Sequence, residues 1–344
     1  MNDLSAKVLI IAEAGVNHNG DMRKAKKLID VAADAGVDFV KFQTFKSSKL
    51  ASRKAPKAEY QEKNTTDEQE SQLKMLQRLE LSPEDHFELM DYCKDRGVSF
   101  FSTAFDNESL DFLNDIGLPL FKVPSGEITN YPYLKKMASF GKPVIMSTGM
   151  CEMSEIEDAV RLMNENGISK DQITVLHCNT EYPTPMRDVN LKAMDTIRTR
   201  LGVPVGYSDH TLGIEVPIAA VALGAGVIEK HYTLDRSLPG PDHKASLEPE
   251  ELKAMVRAIR NIEAATAGNG EKSPSPSEQK NLIIARKSLH LGTSLEQGEK
   301  ISEESLITLR PGDGISPMEW HKVLGRVVNK NLEAGHQLSW GDFE

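Results

Sequence analysis

VIEKHYTLDRSLPGPDH, residues 227–243, is the stretch from which the fold is read. An apolar start leads into Glu229, Lys230 and His231, and a turn then carries the chain to Gly240, Pro241, Asp242 and His243. If Val227–Thr233 is a strand, its period of two puts Val227, Glu229, His231 and Thr233 on one face. A carboxylate and an imidazole on an interior face are costly without partners or a ligand. The same alternation also suits a strand with its polar face in water.

Outward from this stretch the pattern repeats. Strand-like runs are predicted at Val8–Val16, Phe39–Phe45, Ser99–Phe105, Leu120–Ser125, Pro143–Gly149, Ile173–Asn179, Val203–Ser208 and Val227–Thr233. Helix-period segments alternate with them: Met22–Ala35, Pro83–Arg96, Asn107–Ile116, Tyr131–Phe140, Ser154–Glu165, Leu191–Arg200, Ile214–Leu223 and Glu248–Ala265. Ser82-Pro83 marks a helix start, and Gly36 and Gly97 mark two helix ends. This alternation implies βαβ units and a parallel sheet. Eight such units in roughly 250 residues point to an α/β fold of the (β/α)8 TIM-barrel type. No GxGxxG follows the first run, which argues against a dinucleotide fold.

The barrel is expected over 1–266, a Gly/Pro/Ser linker over 267–280, and a small separate domain over 281–344. That domain has short β-like runs at Arg286–Leu291, Leu306–Arg310 and Arg326–Val328. A charged insertion, Lys46–Gln69, follows the second strand and reads either as a lid or as a solvated loop. The chain has 344 residues and a net charge of −10, which makes it a poor nucleic-acid binder. Its three cysteines have no metal-ligand spacing and suit a reducing compartment. With no signal-peptide layout and no apolar run long enough for a membrane, a cytoplasmic protein is expected.

In (β/α)8 enzymes the functional groups gather at the C-terminal strand ends. All eight expected ends here are polar, and three subsets stand out. Ser and Thr hydroxyls with Lys122 resemble a phosphate cradle, although each hydroxyl alone could serve a backbone. Lys122 and Ser125 both reach a site only if Pro124 or Gly126 bends the strand. His210 and His231 close neighbouring strands and could hold an exchangeable divalent ion, although two histidines alone also suit a core. Glu13, Lys41, Glu127, Glu229 and Asp242 could share proton transfer or form a structural ion-pair network.

The runs AEAGVNHNG (12–20), VKFQTFK (40–46), FSTAFD (101–106), KVPSGE (122–127), STGM (147–150), LHCNTEYPTP (176–185), GYSDHT (206–211), EKHYTLD (229–235), GPDH (240–243) and RPGDGISP (310–317) are ordered motifs covering essentially the whole chain. Together they resemble the bacterial N-acetylneuraminate (sialic acid) synthases, with a C-terminal antifreeze-like (SAF, β-clip) domain. The resemblance implies condensation of phosphoenolpyruvate with an N-acylated aldose, N-acetylmannosamine in the sialic acid case. The products are phosphate and a nonulosonic 2-keto acid.

The same resemblance implies that His210 and His231 hold a divalent metal, preferably manganese, with magnesium as the alternative. It places Lys41, Thr103, Lys122, Ser125, Ser147, Asn179, Tyr182 and Ser208 in phosphoenolpyruvate-binding motifs. Glu13 matches a carboxylate that activates water or takes its proton. Glu127, Glu229 and Asp242 match polar groups facing substrate. Arg310 matches an arginine that reaches the sugar's acyl group from the partner in a domain-swapped homodimer.

N-acetylmannosamine is the favoured acceptor. Legionaminate and pseudaminate synthases, which use a di-N-acetylated deoxyhexose, are the alternative. A Schiff-base aldolase using Lys41, Lys122 or Lys230, and a non-enzymatic sugar- or ice-binding protein, are more distant readings.

Overall fold

The computed structural model describes residues 7–50 and 71–344. It divides into two compact units, Met1–Ala267 and Gly268–Glu344. Of the charged insertion, 51–69 lies outside the described residues.

The first unit is the expected barrel. Its strands are β1 (Leu9–Gly15), β2 (Phe39–Thr44), β3 (Ser99–Ala104), β4 (Phe121–Val123), β5 (Val144–Ser147), β6 (Ile173–Cys178), β7 (Val205–Asp209) and β8 (Val227–His231). Every described pairing among them is parallel, in the order β3-β2-β1-β8-β7-β6-β5-β4. The first and last strands pair directly, with Leu9 opposite Val227 and Glu13 opposite His231. That pairing closes the sheet into a barrel. Among the described residues no ladder joins β3 to β4, so this is the seam.

Helices follow the strands at nearly the predicted positions. Pro83–Arg96 shows why: Ser82 and Asp85 form a reciprocal capping box, Pro83 opens the first turn, and Gly97 ends it in the left-handed conformation. The apolar helix faces and strand residues merge into one core that includes Ile10, Leu28, Phe42, Leu89 and Ile228.

One strand is shorter than predicted. β4 stops at Val123, and Ser125–Glu127 forms a 3-10 turn after the extended Pro124. Strand alternation therefore no longer governs Ser125 and Glu127.

A short helix that sequence reading did not anticipate, Gln72–Gln77, is capped by the Ser71 side chain. Met75, Leu76 and Leu79 from this segment join Val16 and Phe45 in a small apolar cluster separate from the main core.

Outside the barrel lumen, Lys230 on β8 and Asp209 on β7 are wholly buried and pair at 2.5 Å. Lys230 also donates to the Thr211 carbonyl. Burial lowers the Lys230 pKa, and Asp209 opposes that shift. This lysine is committed to structure. Replacing it with methionine strands a buried carboxylate, so Lys230→Met is expected to cost about 3–5 kcal/mol, read as a lower urea midpoint.

In the second unit, Ser288–Leu291 and Leu306–Leu309 form an antiparallel pair, with Leu291 opposite Leu306. The predicted third run, Arg326–Val328, makes only isolated bridges through Val327 and Val328. Helix Gln279–Ala285 crosses the boundary expected at 280/281. Leu289, Leu291, Val328, Leu338 and Phe343 lie in the small core.

Candidate active site

The C-terminal strand ends surround a cavity of about 510 Å³. Its floor is built from charged residues that the ladder places side by side. Glu13 on β1 is opposite Lys41 on β2, and Ser208 on β7 is opposite Glu229 on β8.

Lys41 Nζ lies 2.7 Å from Glu13 Oε2 and 3.6 Å from Glu229 Oε2. It also donates to Thr103 Oγ1 at 3.0 Å. Lys122 Nζ lies 3.5 Å from Glu229 Oε1 and donates to Ser147 Oγ at 2.6 Å. Ser208 donates to the same Glu229 oxygen at 3.1 Å. Two lysines and two carboxylates thus alternate across the barrel mouth, all nearly excluded from water.

Gly15 makes the first of these positions accessible. The β1 register slips between Glu13 and Gly15, and Gly15 has φ +51°. A Cβ there would sit 3.2 Å from Glu13 Oε1 and 3.5 Å from His231 Cε1. Only glycine tolerates both that φ and that approach without strain.

The carboxylates separate electrostatically. Burial raises Glu13, and Glu229 adds to this against the pull of Lys41, bringing it to about 7. Burial also acts to raise Glu229, but Lys122 and Lys41 outweigh it and hold Glu229 below its usual range. Burial lowers Lys122. For Lys41, burial is outweighed by Glu13 and Glu229, and its pKa rises. Asp242, on the loop after β8, is pushed up to about 6 by burial, with Lys41 opposing.

That loop is tied down. Asn17 donates to the Tyr232 carbonyl and to Ser246 Oγ, and Ser246 Oγ donates to the Asp242 carbonyl.

The hydroxyls form a cradle. Ser125, on the turn after β4, accepts from the Gly149 amide at 2.9 Å. A Cβ at Gly149 would come within 2.5 Å of Thr180 Cγ2 and 3.1 Å of Ser125 Oγ, so glycine keeps this corner open. Lys122, Ser125, Ser147, Cys178 and Thr180 line that side of the cavity.

His210 and His231 face each other with ring centroids 5.4 Å apart, and Tyr182 packs against both. His210 Nδ1 donates to the Asn179 carbonyl, which leaves Nε2 as the unprotonated nitrogen of the neutral ring. His231 Nδ1 is buried without a hydrogen-bond partner among the described residues. Burial holds His210 near 4 and His231 well below 6.5, so both are neutral at ordinary pH.

Two neutral, buried imidazoles with free lone pairs fit the donor chemistry of a divalent ion. Among the described residues no third His, Cys, Asp or Glu completes a cluster with them.

Thirteen of the fifteen sequence-predicted residues belong to the barrel's site motifs other than Glu127 and Arg310, and twelve of these thirteen line the cavity. Asn179 is the one that does not. Its side chain accepts from the Glu181 amide, while its carbonyl fixes His210. Thr180 takes the lining position instead. Glu127 is turned into a neighbouring cavity with Asp106, Asn130 and Tyr133, where it accepts from Asn130. Arg310 belongs to the second unit, is exposed, and donates from Nε to the Ala285 carbonyl.

Sequence reasoning did not select Gln43, whose amide reaches Glu13 at 3.4 Å. Its alternation with Lys41 on β2 was the available signal. The apolar wall from Val16, Leu50, Met75, Leu76, Leu79 and Phe105 was also missed.

The strand ends of this (β/α)8 barrel gather two buried lysines, a ring of hydroxyls and paired imidazoles, the groups that an anionic substrate needs. Residues 28–272 match the NeuB family and 286–344 match the SAF domain. The chain belongs to the NeuB family, and it is an enzyme of the synthase class.

It is 55% identical to the N,N'-diacetyllegionaminic acid synthase of Campylobacter jejuni, over 95% of this chain and 97% of that protein. It is 50% identical to the Legionella pneumophila enzyme of the same name, over 99% and 96%. The crystal structure of the N-acetylneuraminic acid synthetase of Leptospira borgpetersenii, in complex with citrate, is 37% identical with a TM-score of 0.69. That match covers 80% of this chain and 90% of the other.

Proposed function

We propose that this enzyme condenses phosphoenolpyruvate with a di-N-acetylated deoxyhexose, giving a legionaminate-type nonulosonic acid and phosphate. The observation that carries the choice of sugar is the 55% identity, across nearly both full lengths, to a named N,N'-diacetyllegionaminic acid synthase. The sialic acid synthetase structure is only 37% identical. This moves the favoured acceptor from N-acetylmannosamine to the diacetamido sugar.

The residues support this chemistry. Lys122, Lys41 and the hydroxyls of Thr103, Ser125 and Ser147 offer cations and donors for a phosphate and a carboxylate. The methylene carbon of phosphoenolpyruvate forms a bond to the aldehyde carbon as the aldehyde's C=O π bond opens, its oxygen taking up a proton to become a hydroxyl and the carbon bearing phosphate becoming cationic. Water adds at that carbon and Glu13 takes one of its protons; the C–O bond to phosphate then breaks, the remaining hydroxyl becomes the keto oxygen, and its proton leaves with the phosphate. Glu229, kept ionised by both lysines, holds those lysines in place. His210 and His231 would hold a divalent ion, manganese or magnesium, which would supply Lewis acidity to the aldehyde oxygen. Tyr182 and the Asn179 carbonyl orient His210.

The reading includes a cytoplasmic homodimer in which Arg310 contacts the partner's sugar. Light scattering that found a fully active monomer would remove that part.

A coupled phosphate-release assay tests the main reading. Turnover should require both phosphoenolpyruvate and sugar, stop with EDTA, and return with manganese. EDTA-resistant turnover trapped by borohydride would favour the Schiff-base aldolase instead.

A further inference from the structure

The cavity has two chemically different sides, and the proposed function accounts for only one. Lysines, carboxylates and hydroxyls on the strands themselves, Glu13, Lys41 and Thr103 on β1–β3 included, form the charged side. Beyond the ends of β1, β2 and β3 the segments that follow add an apolar wall: Val16, Leu50 and Phe105 after those strands, with Met75, Leu76 and Leu79 from the 71–79 segment. Val16, Met75, Leu76 and Leu79 are all buried and pack in one cluster. Gln72, on the same short helix, lines the cavity beside them.

A phosphate, a carboxylate or a sugar hydroxyl gains nothing from such a wall. Hydroxyls pressed against it would lose water without replacement hydrogen bonds. A di-N-acetylated deoxyhexose differs from N-acetylmannosamine in the opposite sense. One hydroxyl becomes an acetamido group ending in a methyl, and another is lost to leave a methyl. Both changes add apolar surface that needs an apolar partner, and the new amide needs a donor and an acceptor of the kind Gln72 carries.

We infer that the Val16–Met75–Leu79–Phe105 wall, with Gln72, is the specificity subsite for the second acetamido group and the deoxy carbon of the acceptor sugar. This deepens the function proposed above and rests on it. The wall discriminates by favouring the methyl-bearing sugar and by penalising the hydroxyl-bearing one. Its residues touch substrate remote from the reacting carbons, so they act on sugar choice and leave phosphoenolpyruvate binding alone.

The test compares kcat/KM for the diacetamido deoxyhexose and for N-acetylmannosamine in the metal-loaded full-length enzyme. Met75→Gln, close in volume but polar, is expected to lower that ratio roughly tenfold or more through a higher KM for the diacetamido sugar. KM for phosphoenolpyruvate should stay unchanged. Val16→Thr, nearly isosteric, should shift the ratio in the same direction. It carries the test alone if Met75→Gln does not fold. Met75→Leu should keep the wild-type ratio.

A wild-type enzyme that prefers the diacetamido sugar, with variants that retain that preference, would overturn the subsite. A wild-type enzyme that prefers N-acetylmannosamine would instead overturn the proposed function beneath it.

Discussion

Replacing Lys122 with methionine is expected to reduce kcat/KM for phosphoenolpyruvate by about a thousandfold, with little change in KM for the sugar. The reason is the company this lysine keeps. It is buried at the end of β4, donates to Ser147 at 2.6 Å, and faces Glu229 at 3.5 Å. A preorganised cation in a water-excluded site is worth roughly 10²–10³-fold or more against a charged reacting group. Its loss also leaves Glu229 with one lysine partner, Lys41 at 3.6 Å, so the remaining anion repels substrate.

Lys122→Arg keeps the charge but not the compact ammonium that fits between Ser147 and Glu229. It should restore part of the binding and little of kcat. Isothermal titration with phosphoenolpyruvate separates the two effects. Lys122→Met that binds phosphoenolpyruvate like wild type would rule out the cradle.

The second large effect is expected at Glu13. Glu13→Gln preserves shape but cannot accept a proton, and kcat should fall by roughly 10²–10⁴-fold. The pH profile makes the role specific. Because burial sets Glu13 near 7 against an ordinary 4.5, its ionised fraction falls as pH drops through 7. Wild-type kcat/KM should therefore fall about tenfold per pH unit below 7, and Glu13→Gln should lack that limb.

Stability moves the other way. A carboxyl raised in the fold contributes stability that is full below about 4.5 and lost as pH rises through 7. The neutral glutamine removes that dependence. Near-wild-type turnover in Glu13→Gln would assign the proton to another group, with Asp242, held near 6 by burial, next in line.

Much of this site was legible in the chain because barrel geometry is so regular. Once eight strand-like runs alternate with helices, each strand end becomes a candidate, and Glu13, Lys41, Glu229, His210 and His231 follow directly. The limits were local. Lys122 and Ser125 seemed out of phase until β4 ended at Val123 and Ser125–Glu127 turned as a 3-10 helix. That same turn carried Glu127 into the neighbouring cavity.

At Asn179 the strand ends one residue earlier, so the carbonyl serves His210 and Thr180 faces the cavity. The apolar wall was invisible for a different reason. Met75, Leu76 and Leu79 look like an ordinary amphipathic segment, and only its position over β1–β3 makes it part of the site.

The most direct test of the central claim is a competition experiment. Equal concentrations of N-acetylmannosamine and the diacetamido deoxyhexose are offered to the manganese-loaded enzyme with limiting phosphoenolpyruvate, and the two 2-keto acids are counted by mass spectrometry. The structure and its relatives lead us to expect the diacetylated nonulosonic acid in large excess, with one phosphate released per product. N-acetylneuraminate as the main product, or phosphate released without either acid, would contradict the account.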